Sequence, residues 1–260
     1  KNNWIADWSS AYTTNGNKTT IKGTWNAERN NEVFVRAIDH VGNISGISST
    51  YIRIDKTAPT KVTVDMHGYA NGSWTNQNIR WTYNSSDSAS GIDHYEWSRD
   101  AVNVAGRCGQ DETFSGEEDT GSLYFRAVDK AGNAGAWSDK CIRRIDKTKP
   151  VVTTASATTQ AISFTATDTV GVTAYAITTT NTAPSTGWAS VNSTTKYTAT
   201  VNKKIHNSTY YIWAKDAAGN ISNSKTVKTG KVPTPTASDL KYTVSWTGTN
   251  AKVTFTTTSG

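Results

Sequence analysis

One phrase of alternating apolar and polar residues occurs three times along the 260-residue chain. An aspartate ends each copy, and the residues six, four and two positions before it are apolar. These apolar positions are Val33, Val35 and Ala37; Leu123, Phe125 and Ala127; and Tyr210, Ile212 and Ala214. Because side chains alternate between the two faces of a strand, the pattern predicts three strands that each bury one face.

The aspartates that end the phrase, Asp39, Asp129 and Asp216, each begin the sequence Asp-x-x-Gly-Asn. Aspartate can accept hydrogen bonds from the backbone that follows it, and Gly and Asn tolerate positive φ, so we predict a hairpin turn. After the first two turns the chain continues to Asp-Lys-Thr-x-Pro, which ends at Pro59 and Pro150. Proline cannot donate to a strand ladder, so these prolines mark domain boundaries.

The period of the repeat is 90 and then 87 residues, which is the length of a whole domain. The predicted strands lie at 3–12 and 46–55 near the N-terminus; at 61–66, 74–83, 92–99, 112–114, 122–129 and 137–145 in the middle repeat; and at 151–154, 161–167, 172–179, 195–201, 209–215 and 224–229 in the last. Six or seven short strands per repeat without a helix predict an all-β sandwich. We predict a partial module at 1–58, complete modules at 59–148 and 149–230, and the opening strands of another at 231–260.

Composition agrees with small β cores, since Leu occurs twice and Met once, whereas ten Trp, eleven Tyr and five Phe supply apolar mass. The net charge of +6 comes from scattered Lys and Arg without a nucleic-acid-binding motif, so we predict no nucleic-acid partner. No run of apolar residues is long enough to predict membrane insertion.

The two cysteines, Cys108 and Cys141, fall within one repeat. The four histidines do not add zinc ligands at an ordered spacing, which leaves a disulfide as the favoured interpretation. A disulfide would place the chain in an oxidising, extracellular compartment.

Arg-Ala-Val-Asp-x-Ala-Gly-Asn at 126–133, followed by Ile-Asp-Lys-Thr-x-Pro at 145–150, resembles the bacterial immunoglobulin-like (Big-type) tandem repeats of surface adhesins and cell-wall proteins. The resemblance covers nearly the whole chain. It implies tandem immunoglobulin-like or fibronectin-III-like modules in an elongated array at the cell surface or cell wall. It implies little about function, because such repeats serve as stalks, as adhesive tips and as accessory modules of surface enzymes.

Repeated aspartates suggest a metal, because calcium accepts carboxylate oxygens from loops. The candidate ligands are Asp39, Asp55, Asp129, Asp146, Asp87 and Asp168. The resemblance implies that aspartates of the turn and of the linker can hold a structural calcium at domain junctions. The competing interpretation is that these aspartates only cap their own turns or form hydrogen bonds at the junction.

Trp213 replaces Arg36 and Arg126 at a position that the alternation places on the outer face. Exposed Trp can stack on sugar rings or anchor a protein interface, so Trp213 is the candidate ligand contact. No catalytic motif is present, and we predict that the chain is not an enzyme.

We therefore predict a non-catalytic structural or adhesive module array of a bacterial surface or secreted protein. It would space or present a binding function, and its partners would be neighbouring modules of the same chain and a host glycan or extracellular protein. The alternatives are an accessory region of a surface carbohydrate-active enzyme or protease, a phage fibre or decoration domain, and a subunit of a strand-complemented filament.

Overall fold

The computed structural model describes residues 12–15, 18–21, 25, 27–39, 41–202, 208–230 and 240–257. Those residues form twenty strands and no helix, so the predicted all-β class is confirmed. None of them forms a helix that is long and apolar enough to cross a membrane. The strand predicted at 3–12 lies outside the described residues, except for its last position.

The chain divides into two compact units. Unit 1 comprises Lys1–Gly68, Arg80–Thr113 and Gly121–Ile142, and unit 2 comprises Tyr69–Ile79, Phe114–Thr120 and Arg143–Gly260. The predicted module limits at 59–148 and 149–230 stay a prediction.

Unit 1 begins with two antiparallel hairpins, and the register of the second runs from Arg29 opposite Ile54 to Val35 opposite Ser48. Two three-stranded sheets follow, in the orders β10-β7-β5 and β12-β8-β9. The strands are β1 (Tyr12–Asn15), β2 (Lys18–Ile21), β3 (Arg29–Val35), β4 (Ser48–Ile54), β5 (Thr63–Asp65), β7 (Ile79–Asn84), β8 (Ile92–Ser98), β9 (Gly106–Cys108), β10 (Asp111–Phe114) and β12 (Tyr124–Asp129).

The core of unit 1 lies between these two sheets. Trp81 and Tyr83, on β7, are completely buried. Both rings contact Phe125 on β12: the Trp81 ring meets it edge-on at a centroid distance of 5.9 Å, and the Tyr83 ring lies 4.4 Å away. Face-to-face contact between two sheets through alternate side chains is the packing of a β-sandwich.

The predicted disulfide between Cys108 and Cys141 is wrong for this structure, in which the two residues are not joined by a disulfide. Cys108 lies on the edge strand β9, opposite Tyr95 of β8. Cys141 forms a β-bridge with Leu123, the residue immediately before β12. The other side of β12 pairs with β8. The two cysteines are thus at opposite edges of the sheet, about three strand spacings or ~14 Å apart, whereas a disulfide needs Cα atoms within about 7 Å.

Unit 2 contains a five-stranded sheet in the order β14-β15-β17-β18, with β16 also paired to β15, and a small sheet in the order β11-β13-β6. A further hairpin joins β19 to β20. The strands are β6 (Trp74–Thr75), β11 (Glu118–Asp119), β13 (Arg144–Ile145), β14 (Val151–Ala157), β15 (Ala161–Thr178), β16 (Ala189–Asn202), β17 (Thr209–Asp216), β18 (Lys225–Lys228), β19 (Leu240–Thr247) and β20 (Asn250–Thr257).

Strand β15 connects the two layers of this unit. Its first part, up to Thr167, pairs with β14, and its second part, from Val172, pairs with β17. A glycine at the change of register, Gly171, has φ of 132°, which side chains rarely allow. Apolar residues from β14, β15, β17 and β18 enclose a common core that includes Phe164 and Ile212. The two units thus contain the predicted sandwich modules of the immunoglobulin-like or fibronectin-III-like class.

Candidate metal centres

Two groups of three aspartates bring carboxylate oxygens within 4.8 Å of one another. The first group is Asp55, Asp87 and Asp129, all in unit 1, and the second is Asp146, Asp168 and Asp216, all in unit 2. In each group the first aspartate lies in a linker and the last one ends a repeated strand, β12 or β17. The middle aspartate precedes strand β8 in the first group and lies at the bend of β15 in the second. We call them the first and the second cluster.

The Asp-x-x-Gly-Asn turn holds the last aspartate of each cluster. In the first cluster, Oδ1 of Asp129 accepts hydrogen bonds from the amides of Ala131 and Asn133, at 2.9 and 2.8 Å. The side-chain amide of Asn133 donates to Oδ2 of Asp129 and to the carbonyl of Asp55, at 2.8 and 3.2 Å. The turn therefore fixes its own aspartate and also attaches the linker to it.

The second cluster repeats this arrangement in a buried setting. The side-chain amide of Asn220 donates to Oδ2 of Asp216 at 2.8 Å and to the carbonyl of Asp146 at 2.9 Å. Two more hydrogen bonds fix the linker. The amide of Asp146 donates to the carbonyl of Thr75, and the amide of Thr148 donates to Oδ1 of Asp146, each at 3.0 Å. These contacts place the carboxylate of Asp146 beside the end of β17.

Asp168 completes the second cluster from the bend in β15. Its Oδ1 accepts hydrogen bonds from the amides of Val170 and Gly171, at 2.9 and 2.7 Å. The sequence folds in this way because aspartate can bond the backbone two and three residues ahead, and Gly171 permits the positive φ that follows.

Burial makes the second cluster unusual. Asp146, Asp168 and Asp216 are 3%, 8% and 2% exposed. Oδ2 of Asp146 and Oδ2 of Asp168 are buried, and neither accepts a hydrogen bond from any residue that the structure describes. Among the described residues, no Lys or Arg forms an ion pair with any of the three. Three buried carboxylates thus lie together without a cationic partner from the described part of the chain.

The electrostatics follow from this burial. Desolvation raises the pKa of Asp146, and the charges of Asp216 and Asp168 raise it further. Desolvation also raises the pKa of Asp216, against the hydrogen bonds from Asn220. In the more exposed first cluster, hydrogen bonds from Ser90 and from the amide of Thr57 lower the pKa of Asp55.

Five of the six predicted metal ligands fall in the two clusters: Asp55, Asp87, Asp129, Asp146 and Asp168. Asp39 belongs to neither group; it is exposed and accepts hydrogen bonds from the backbone and side chain of Asn43. Asp216 was not among the predicted ligands, although it occupies the same turn position as Asp129. That repeat position was the signal that could have identified it.

The prediction that Trp213 faces outward is wrong, because the residue is only 7% exposed. Its indole Nε1 donates to Oγ1 of Thr178 at 3.0 Å. Lys215, two residues further and on the same face of β17, has its Nζ 5.1 Å from the centroid of the Trp188 ring. The segment that carries Trp188 therefore reaches this face, and Trp213 packs inside the protein.

No protein family profile matches the chain, and no curated protein matches it. Among solved structures, the fibronectin(III)-like modules of Clostridium thermocellum CbhA are 14% identical, with a TM-score of 0.29, over 64% of this chain and 93% of theirs. The D00-D0 domain of intimin is 17% identical, with a TM-score of 0.30, over 64% and 98%. Bacteroides ovatus SGBP-B of the mixed-linkage glucan utilization locus is 11% identical, with a TM-score of 0.24, over 91% and 58%. At these scores the fold class rests on the strands and sheets of the chain itself.

Proposed function

We propose that this chain is a non-catalytic structural array of a bacterial surface or secreted protein, in which a bound Ca²⁺ holds a linker against the module that follows it. The observation that carries the proposal is the second cluster, where the linker residue Asp146 lies within 4.8 Å of carboxylate oxygens from Asp168 and Asp216.

A cation resolves the electrostatic conflict of this cluster. Removing a carboxylate from water disfavours its charged form, and like charges nearby disfavour it again. A divalent cation offsets two of the three negative charges and becomes the partner that Oδ2 of Asp146 and Oδ2 of Asp168 lack. Ca²⁺ suits the site because it accepts several carboxylate oxygens from loops in a flexible geometry. Mg²⁺, in contrast, requires nearly octahedral coordination.

Binding at this cluster has a mechanical consequence. The three ligands come from the linker, from the bend in β15 and from the end of β17, so one ion connects the linker to two strands of the sandwich. Such an ion restricts how the linker leaves the module. A stiffened linker suits an array that spaces or presents a binding function.

Differential scanning calorimetry of the full chain in Ca²⁺ and in EDTA tests the proposal. An ion that binds only the folded state stabilises it by about 2.7 kcal/mol at a concentration 100-fold above its Kd, so we expect Tm to rise by several degrees in Ca²⁺. Asp168→Asn should abolish this rise, and it should not lower the Tm measured in EDTA, because it removes a buried charge.

The matched control is Asp139→Asn, which removes a carboxylate whose side chain is 95% exposed and which belongs to neither cluster. This variant should keep the full response to Ca²⁺. Superimposable transitions of the unmodified chain in Ca²⁺ and in EDTA would exclude the proposed function.

A further inference from the structure

The two clusters differ by one residue in one loop. Asp129 pairs with Ile92 across the sheet, and Asp216 pairs with Val172, so these two positions are equivalent. A glycine stands immediately before each of these two partners. Gly91 lies four positions after Asp87, whereas Gly171 lies three positions after Asp168. The additional residue in the first loop stands immediately before the glycine and is Ser90.

Ser90 changes the hydrogen bonding of the linker aspartate. Its backbone amide donates to Oδ2 of Asp55 at 3.0 Å and also to Oδ1 of Asp87 at 2.9 Å. One N–H group therefore lies between two carboxylates of the cluster. The other oxygen of Asp55 accepts from the amide of Thr57 at 2.9 Å, so both of its oxygens have partners within the protein.

In the shorter loop of the second cluster, the amide three residues after the aspartate is that of Gly171, which donates to Oδ1 of Asp168 at 2.7 Å. Oδ1 of Asp146 accepts from Thr148, as Asp55 accepts from Thr57, but Oδ2 of Asp146 accepts no hydrogen bond from the described residues. The same is true of Oδ2 of Asp168.

We infer that the chain binds a single Ca²⁺, at the second cluster, and that the Ser90 amide takes the place of an ion in the first. This inference rests on the proposed function and specifies which site carries it. The linker at Asp55 is held by hydrogen bonds whether or not calcium is present. Hydrogen bonds to Asn220 and Thr75 also attach the linker at Asp146, but Oδ2 of Asp146 gains a partner only when calcium binds, so only this linker is stabilised further as the calcium concentration rises.

The preference has a physical basis. A cation in the first cluster would have to displace the amide hydrogen of Ser90, leaving that N–H group without its partners. It would also gain a weaker electrostatic attraction, because Asp55 and Asp87 are partly exposed to water. A cation in the second cluster displaces no hydrogen bond from Oδ2 of Asp146 or Asp168 and enters a site of low dielectric constant.

Isothermal titration of the full chain with CaCl₂ tests the inference through the number of ions bound. The unmodified chain should bind one ion, Asp168→Asn should bind none, and Asp87→Asn should still bind one with an unchanged Kd. Deletion of Ser90 shortens the first loop to the length of the second, and the resulting chain should bind two ions.

The outcomes separate the inference from the proposed function. Two ions per unmodified chain, one of which is lost in Asp87→Asn, would overturn the inference and leave the proposed function intact. One ion that is lost in Asp87→Asn and kept in Asp168→Asn would overturn the assignment of the site. No measurable binding would overturn both. The two Asp→Asn variants decide the question even if the deletion variant does not fold.

Discussion

Two aspartates with the same hydrogen bonds differ in chemistry because only one is buried. Asp39 and Asp216 each accept the backbone amide and the side-chain amide of the Asn four residues later, at 2.7 to 2.8 Å. Hydrogen bonds from Asn43 lower the pKa of the exposed Asp39. Desolvation raises the pKa of the buried Asp216, with a further contribution from the charge of Asp168. Burial, which the turn sequence does not encode, thus separates a capping residue from a candidate ligand.

The cysteines give a prediction at the same scale. Thiol titration of the unfolded, non-reduced chain should find two reduced thiols, because Cys108 and Cys141 lie at opposite edges of one sheet. In the folded chain Cys108 should react slowly, since burial and Glu112 raise its pKa to about 12. Prior treatment with a reductant serves as the control; thiols that appear only after reduction would show that the disulfide forms.

At the scale of elements, the repeated turn connects a hairpin to a linker through a single side chain. Asn220→Ala removes the donor to the carbonyl of Asp146 and to Oδ2 of Asp216, and both acceptors are buried. We expect a loss of about 2 kcal/mol in the free energy of unfolding, because a buried polar group without a partner costs about 1–3 kcal/mol. Urea denaturation with and without the substitution measures the difference.

Asn43→Ala is the matched control for this variant. Asn43 occupies the same position of the same turn, but its side chain donates to an exposed carboxylate. Its replacement should cost well under 1 kcal/mol. Equal losses for the two variants would contradict the account of Asn220 as the residue that attaches the linker.

Alternation of apolar residues predicted many of the strands closely. The strand predicted at 92–99 is observed at Ile92–Ser98, and that at 209–215 at Thr209–Asp216. Strand β9, at Gly106–Cys108, was not predicted because three residues show no period. The segments at 161–167 and 172–179 were predicted as separate strands, but the chain stays extended through the bend as it passes from one pairing to the next.

The site was less predictable than the strands. Turn chemistry identifies Asp129 and Asp146 one at a time, but their grouping depends on strand register and on the path of the linker. The error at Trp213 has a related origin: alternation correctly gives the face of β17 on which the side chain lies, but it cannot show that another segment reaches that face. Contacts between distant segments are not encoded in local periodicity.

At the scale of the whole molecule, the repeats supply similar clusters whose chemistry differs. The first cluster is linked by the Ser90 amide, and the second contains two buried carboxylate oxygens that have no partner among the described residues. Tandem repeats therefore need not act identically, since one residue in a loop determines whether the linker carboxylate is fully hydrogen-bonded by the protein or keeps an oxygen for a cation. In a surface array, this would confine the response to calcium to one linker.

A crystal structure of the full chain grown in Ca²⁺, with an anomalous difference map, tests the central claim most directly. We expect an anomalous peak among the carboxylates of Asp146, Asp168 and Asp216, within about 2.3–2.6 Å of their oxygens. We expect no peak among Asp55, Asp87 and Asp129. An ordered second cluster with no peak in such a crystal would contradict the account.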